Sequence, residues 1–284
     1  MSDLDNLANI DRTIGFPLGR GSGIITVLEE LDKDGVSIKD GFGEAPRPFF
    51  SGEEDIPLMG TTPLKSTLGA DLLLFYSSSC VFSNFFPSPM TVDGREFLSS
   101  EQYFMWIKAK TFKDEEKAEE ILSAGSPAEA KKLGRQVRNF KEEEWKGTSN
   151  RMMTVACYRK FQQNRALRKA LFSTAGAVLV EASPRDRIWG IGMGASNVHA
   201  ADPSKWRGSN KLGRILTVIR EHMISSKFLA MLPITPHISA FLFVEFLNCL
   251  FYLLIILILS KSNELLLKTP FFKLFYSTGK CNAR

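Results

Sequence analysis

The sequence predicts a compact, mainly helical α+β single domain with short β-strands, and three observations carry that expectation. Helix-start signals recur between Ser99 and Asn210, each leading into apolar residues at helical spacing. Two short aliphatic runs, Leu72-Leu73-Leu74-Phe75-Tyr76 and Ala177-Val178-Leu179-Val180-Glu181-Ala182, read as strands. Asp93-Gly94, between Thr91-Val92 and Arg95-Glu96-Phe97, reads as a hairpin turn.

Taken in order, residues 1–70 read as a flexible or weakly ordered extension. Gly15, Pro17, Gly19, Gly21, Gly23, Pro46 and Pro48 punctuate it, and no apolar period persists. A short helix fits Val27 to Asp32. Gly19 to Gly23 lacks the preceding strand and the lysine of a phosphate-binding loop. From Asp71 the texture changes, and the domain spans 71–225. Val81-Phe82 reads as a second strand after a polar turn. Ser99 and Gln102 have capping-box spacing, so a helix starts there, runs to about Thr111 and carries Glu101 in its first turn. Helices follow over 114–122, 127–137, 142–163 (with Gly147 a point of interruption) and 166–172. Ser126-Pro127 announces the 127–137 helix. Asn210 caps a last amphipathic helix over 211–223.

The region 226–284 is different. From about Ile238 it is apolar over some twenty residues, long enough to cross a bilayer. Glu245 and Asn248 oppose insertion, while Leu250, Phe251, Leu253 and Leu254 favour it. A membrane anchor is the leading expectation, with a packed helix and an exposed tail as alternatives. Met1 to Asp11 shows no secretory pattern, so the expected location is a cytoplasmic catalytic domain with C-terminal membrane anchoring.

Composition narrows the function classes. The 284 residues carry 36 Lys and Arg against 31 Asp and Glu, a net charge of +5 that suits a small anionic ligand and argues only weakly for nucleic acid. Cys80, Cys157, Cys249 and Cys281 lack CxxC spacing, and His199, His222 and His237 form no cluster. Neither a metal site nor a disulfide framework is expected, nor any cofactor. Oligomeric state is not legible.

Two acids stand where chemistry needs them. Glu101, at a helix start, has its charged form favoured by the helix dipole, which suits support of a developing sugar cation. Its competing role is capping. Asp186 follows a strand and Pro184 and leads into Trp189-Gly190-Ile191-Gly192. It suits activation of water or, with a raised pKa, protonation of a departing base, and it competes with a turn or a salt bridge to Arg185 or Arg187. Trp189 offers a face for a base. Asn84 and Asn210 are candidate base or ribose contacts, and Lys108, Arg151 and Lys160 candidate phosphate contacts.

An ordered series of segments resembles the NADAR family of YbiA-like N-glycosidases. The series comprises Phe82-Ser83-Asn84-Phe85, Phe97-Leu98-Ser99-Ser100-Glu101-Gln102-Tyr103-Phe104-Met105, Lys108-Ala109, Leu133-Gly134-Arg135, Trp145 and Lys160-Phe161. It continues through Leu179-Val180-Glu181-Ala182-Ser183-Pro184, Asp186, Trp189-Gly190-Ile191-Gly192, Trp206-Arg207-Gly208 and Asn210-Lys211-Leu212-Gly213. The resemblance covers residues 75 to about 223. It implies an α+β domain that hydrolyses N-glycosidic bonds, with a phosphorylated N-ribosyl or ADP-ribosyl substrate. The implied pocket holds catalytic Glu101 and Asp186, with Asn84, Phe85, Lys108, Trp145, Trp189 and Asn210 binding substrate. Phosphorylated ribosylaminopyrimidines of riboflavin biosynthesis are the first substrate expectation. ADP-ribosylated guanine or nucleic acid is the second, and a non-catalytic nucleotide sensor the third. Asp186 is expected to position water and Glu101 to stabilise the ribosyl cation, with no residue assigned to protonate the leaving base.

Overall fold

The computed structural model describes residues 24–33 and 56–231. By its internal contacts the chain divides into units 1–229 and 230–284, and the account below concerns the first. Its elements are α1 (Ile24–Lys33), β1 (Thr61–Lys65), β2 (Asp71–Phe75), β3 (Met90–Val92), β4 (Arg95–Phe97), α2 (Ser100–Thr111), α3 (Glu115–Leu122), α4 (Pro127–Gly134), α5 (Glu142–Gln163), α6 (Arg165–Phe172), β5 (Val178–Glu181) and α7 (Lys211–Met231). A 3-10 turn, Pro203–Lys205, precedes α7. The architecture is the α+β one that the sequence predicts.

The main sheet has the order β1-β2-β5, with β1 antiparallel and β5 parallel to β2. Strands β2 and β5 are nearly continuous apolar runs because both of their faces are covered. Leu73, Phe75 and Leu179 join the helical core, while Leu72, Leu74, Val178 and Val180 meet Ile191, Met193, Ala200 and Trp206 on the other side. The second cover is loop rather than helix. Trp206 donates its indole N–H to Ala200 O at 3.0 Å, which closes that layer.

Two elements lie upstream of the expected domain start at Asp71. β1 pairs with β2 over five residues, and α1 buries Ile24, Val27, Leu28 and Leu31 in the main core. That spacing is one helical stripe, and it packs on α5, where Arg151 pairs with Glu30 at 2.7 Å. The Gly19–Gly23 segment lies outside the described residues.

Val81-Phe82 does not form the expected strand. Successive turns, Cys80 N–H to Ser77 O (2.9 Å), Ser83 N–H to Cys80 O (2.9 Å) and Phe86 N–H to Ser83 O (3.1 Å), satisfy the backbone instead. Val81 and Phe82 are buried as plugs of the core, so burial and not pairing explains their apolar character. The hairpin is as read: Asp93 and Gly94 take φ of 50° and 74°, the pair of positive values that a two-residue I′ turn requires. Helix α5 runs through Gly147 unbroken.

The expectation of a membrane-spanning tail, with its membrane contact and anchoring, is corrected. Among the described residues no helix is long and apolar enough to cross a membrane. The one that leads toward the tail, α7, is interrupted by Arg214, Arg220 and Glu221, and charges in mid-span oppose insertion. The run beginning near Ile238 lies outside the described residues.

β5 and α7 meet at van der Waals limits. A Cβ on Gly213 would stand 2.1 Å from Leu179 O and 2.5 Å from Asn210 Oδ1, so only glycine lets the helix start against the strand. Gly213→Ala is expected to lower stability by about 1–3 kcal/mol or more through overpacking, read as a lower urea midpoint.

Candidate active site

The site grows from the first turn of α2. Ser99 takes extended dihedrals and its Oγ accepts Gln102 N–H at 3.2 Å, while Gln102 Oε1 accepts Leu98 N–H at 2.7 Å. This reciprocal cap fixes where the helix begins. Gln102 Nε2 also donates to Ile121 O, Leu122 O and Ala124 O, tying the turn to the end of α3. Glu101 sits within this rigid turn, its N–H donated to Asn84 O at 3.1 Å.

Glu101 is 4% exposed, and its Oε1 is buried without a hydrogen-bond partner. Lys131 Nζ, on α4, stands 3.7 Å away, an ion-pair distance beyond hydrogen-bond range. Burial pushes the Glu101 carboxyl above its ordinary pKa. Lys131 and Arg135 oppose that rise, and the charge of Asp186 adds to it. The helix start was expected to favour the charged form; removal from water outweighs it.

The second part is the end of β5 and the loop after it. Asn210 Oδ1 accepts Glu181 N–H at 2.9 Å and its Nδ2 donates to Leu179 O at 3.0 Å. Ile191 N–H returns to Glu181 O at 2.9 Å, and Gly192 N–H to Asp186 O at 3.0 Å. Asp186 Oδ1 accepts the N–H groups of Ile188 and Trp189, both at 2.8 Å. That turn presents Trp189 beside the acid.

A third carboxylate completes the group. Glu181, at the carboxyl end of β5, has a buried Oε2 without a hydrogen-bond partner. Its pKa is pushed up to about 8, first by burial, then by Asp186, with Lys131 opposing and Glu101 adding. Three acids and the cations Lys131 and Arg135 thus share one field. Such a crowd keeps at least one acid protonated near neutrality.

Aromatic rings adjoin it. Phe104, one turn beyond Glu101 on α2, meets Trp189 edge-on at 5.4 Å and 86° and Trp145 at 5.1 Å and 44°. Phe85, half-buried, lies under Lys131 Nζ at 5.1 Å. Lys211 Nζ stands 5.9 Å from the Trp189 ring centre. Its pKa is lowered by burial and then by the like charges of Lys146 and Arg214.

Of the residues chosen from sequence, Glu101, Asp186, Phe85, Trp189 and Trp145 converge. The other three side chains are spent on the scaffold. Asn84 donates to Met153 Sδ at 3.2 Å, and its Oδ1 faces Cys157 Sγ at 3.7 Å. Asn210 is fully buried on β5. Lys108 Nζ donates to Gly134 O at 2.8 Å and lies 4.0 Å from the Phe140 ring centre. Lys160 is buried too, donating to Ser83 O at 2.7 Å, with burial lowering its pKa to about 8. It therefore braces the loop that holds Glu101. Sequence reasoning missed Glu181 and Lys131 as site residues. Glu181 closes an apolar strand and so resembles a polar strand end, and Lys131 resembles any surface cation in the last turn of a helix.

The NADAR domain family matches residues 74–224. The chain belongs to the NADAR family. Among similar proteins, irg-1 of Caenorhabditis elegans is 42% identical over 167 residues, 53% of this chain and 79% of that one. An N-glycosidase of Acanthamoeba polyphaga mimivirus is 39% identical over 146 residues, 50% and 86% of the two chains. The N-glycosidase YbiA of Escherichia coli is 35% identical over 159 residues, 55% and 91%. The solution structure of E. coli YbiA is similar over 61% of this chain and 96% of its own, at 31% identity and a TM-score of 0.48. The matched NADAR span begins in β2 and ends within α7, so it contains every residue of the site.

The raised Glu181 value has a consequence for stability. Its ordinary value is 4.5 and its folded value about 8, so between those limits the folded state binds more protons than the unfolded one. Stability therefore falls as pH rises through that window. Unfolding midpoints measured at successive pH values are expected to decline across it, and Glu181→Gln is expected to flatten the decline.

Proposed function

We propose that this chain hydrolyses the N-glycosidic bond of a phosphate-bearing ribosyl substrate, with a base linked to ADP-ribose as the leading class. The chain is a hydrolase of the N-glycosidase type, in keeping with its family. The observation that carries the reading is the meeting of buried carboxylates with a half-buried indole. Breaking a C1′–N bond leaves positive charge on the ribosyl ring, and fixed negative groups in a dry site stabilise it strongly. Glu101 is the group proposed for that task. Asp186 is held by the Ile188 and Trp189 amides through one oxygen, and it is proposed to orient water toward C1′ through the other. Trp189 or Phe85 supplies the flat surface for the base.

Lys211, Lys146 and Arg214 favour ADP-ribose over a monophosphate. Lys146 and Arg214 both act on Lys211 as like charges, and a diphosphate would relieve that repulsion. Lys108, expected to hold phosphate, is instead bound to Gly134 O and has no part in the proposal.

Incubating the full-length chain with ADP-ribosylated guanine and, separately, with phosphorylated ribosylaminopyrimidines, while following base release, tests the reading. Release from the first is expected to be faster. Preference for the second would restore the riboflavin-pathway substrate, and binding without release from either would make the protein a sensor. Glu101→Gln is expected to lower kcat by roughly 10²–10³-fold, the magnitude seen when one group supporting transition-state charge is removed. Lys211→Ala is expected to raise KM for the ADP-ribosyl substrate about tenfold, as loss of one charge-assisted contact does, with kcat little changed.

A further inference from the structure

We propose that Glu181 is the proton donor to the leaving base, a third catalytic residue whose carboxyl oxygen faces the same buried site as Glu101 and Asp186. The inference rests on the N-glycosidase reading above and supplies the step that reading lacks.

Three observations of geometry carry it. First, Glu181 Oε2 is buried with no hydrogen-bond partner, as is Glu101 Oε1. A buried polar atom left without a partner costs about 1–3 kcal/mol, so two such oxygens on acids that feel each other's charge and that of Lys131 point to a ligand that completes them. Second, the backbone of Glu181 is held on both sides, its N–H by Asn210 Oδ1 at 2.9 Å and its carbonyl by Ile191 N–H at 2.9 Å. Gly190 lies so close that a Cβ there would stand 2.8 Å from Glu181 O. The side chain is thus presented from a rigid strand end, as a positioned acid requires. Third, the neighbouring acids already have other tasks. Asp186 is tethered by two amides and Glu101 is paired with Lys131.

The surrounding charges agree. Asp186 in the loop after β5 and Glu101 on α2 hold the Glu181 proton on, and Lys131 on α4 opposes them. Cys157 on α5 feels the charge of Glu181; its thiol is pushed up to about 12, mainly by burial, and stays neutral. Arg135 acts on Glu101. Below about pH 8 the Glu181 carboxyl therefore carries a proton that it can donate.

The step balances. As the C1′–N bond breaks, its electron pair stays on the base nitrogen, which takes the proton of Glu181. Water adds to C1′ and gives a proton to Asp186. One water is consumed, and transfer of that proton through solvent returns Glu181 to its acid form.

The experiment measures kcat/KM for base release from ADP-ribosylated guanine by the full-length chain across pH 6–10, in parallel with Glu181→Gln. The wild-type rate is expected to fall above about pH 8, the value at which the acid loses its proton. Glu181→Gln is expected to lose roughly 10²–10⁴-fold at neutral pH, the usual contribution of a positioned acid, and to lose the alkaline decline with it. A merely structural role would leave that decline in place. Wild-type activity that is flat over the range overturns the proposal without any variant. So does a folded Glu181→Gln protein within threefold of wild type, or one that keeps the decline; in each of these cases the N-glycosidase reading stands. A wild-type chain that releases no base overturns that reading and the role of Glu181 together.

Discussion

The structure depends on the Asn210 amide. One side chain, fully buried and at a φ of 48°, accepts from Glu181 and donates to Leu179, so it reads the edge of β5 as a further strand would. Asn210 N–H is donated to Gly190 O and Leu212 N–H to Trp189 O, both at 3.0 Å. The same joint therefore fixes the strand end, the loop carrying Asp186 and Trp189, and the start of α7. A four-residue strand has little cooperativity of its own, and outer tethers decide whether its last residue stays in place. Glu181 is that last residue.

Facing this joint is the first turn of α2, set by its own polar frame. Ser99 and Gln102 cap the turn, Asn84 O receives Glu101 N–H, and the buried Lys160 ammonium braces Ser83 O. A buried lysine is costly to maintain, as its lowered pKa records. It adds a charged donor to Ser83 O, which also accepts Phe86 N–H, and so stiffens the loop. Two rigid edges thus bring acids together that would repel in a flexible chain. The price is stability, and enzymes commonly carry such strain where pKa values must be shifted.

Much of this was legible locally. The type I′ turn at Asp93-Gly94, the cap at Ser99, the Ser126-Pro127 helix start and the β5 run are all signals within a few residues. Glu101 and Asp186 could be chosen because one begins a helix and the other follows a strand. Val81-Phe82 misled because an apolar pair has the same look in a strand and in a buried turn. β1 and α1 escaped the expected boundary because their short patterns become meaningful only against β2 and α5.

Residue type and order along the chain determined the α+β class, the helix starts, the family and two of the three acids, since each depends on neighbours within one or two turns. Tertiary structure alone decided which polar side chains face the site. Asn84, Asn210 and Lys108 looked like ligand contacts, but buried carbonyls, amides and sulfur atoms claimed them. Glu181 and Lys131 looked ordinary until α2, α4 and β5 were packed together. Burial and the sum of nearby charges set a proton's affinity, and neither can be read from a residue's place in the chain.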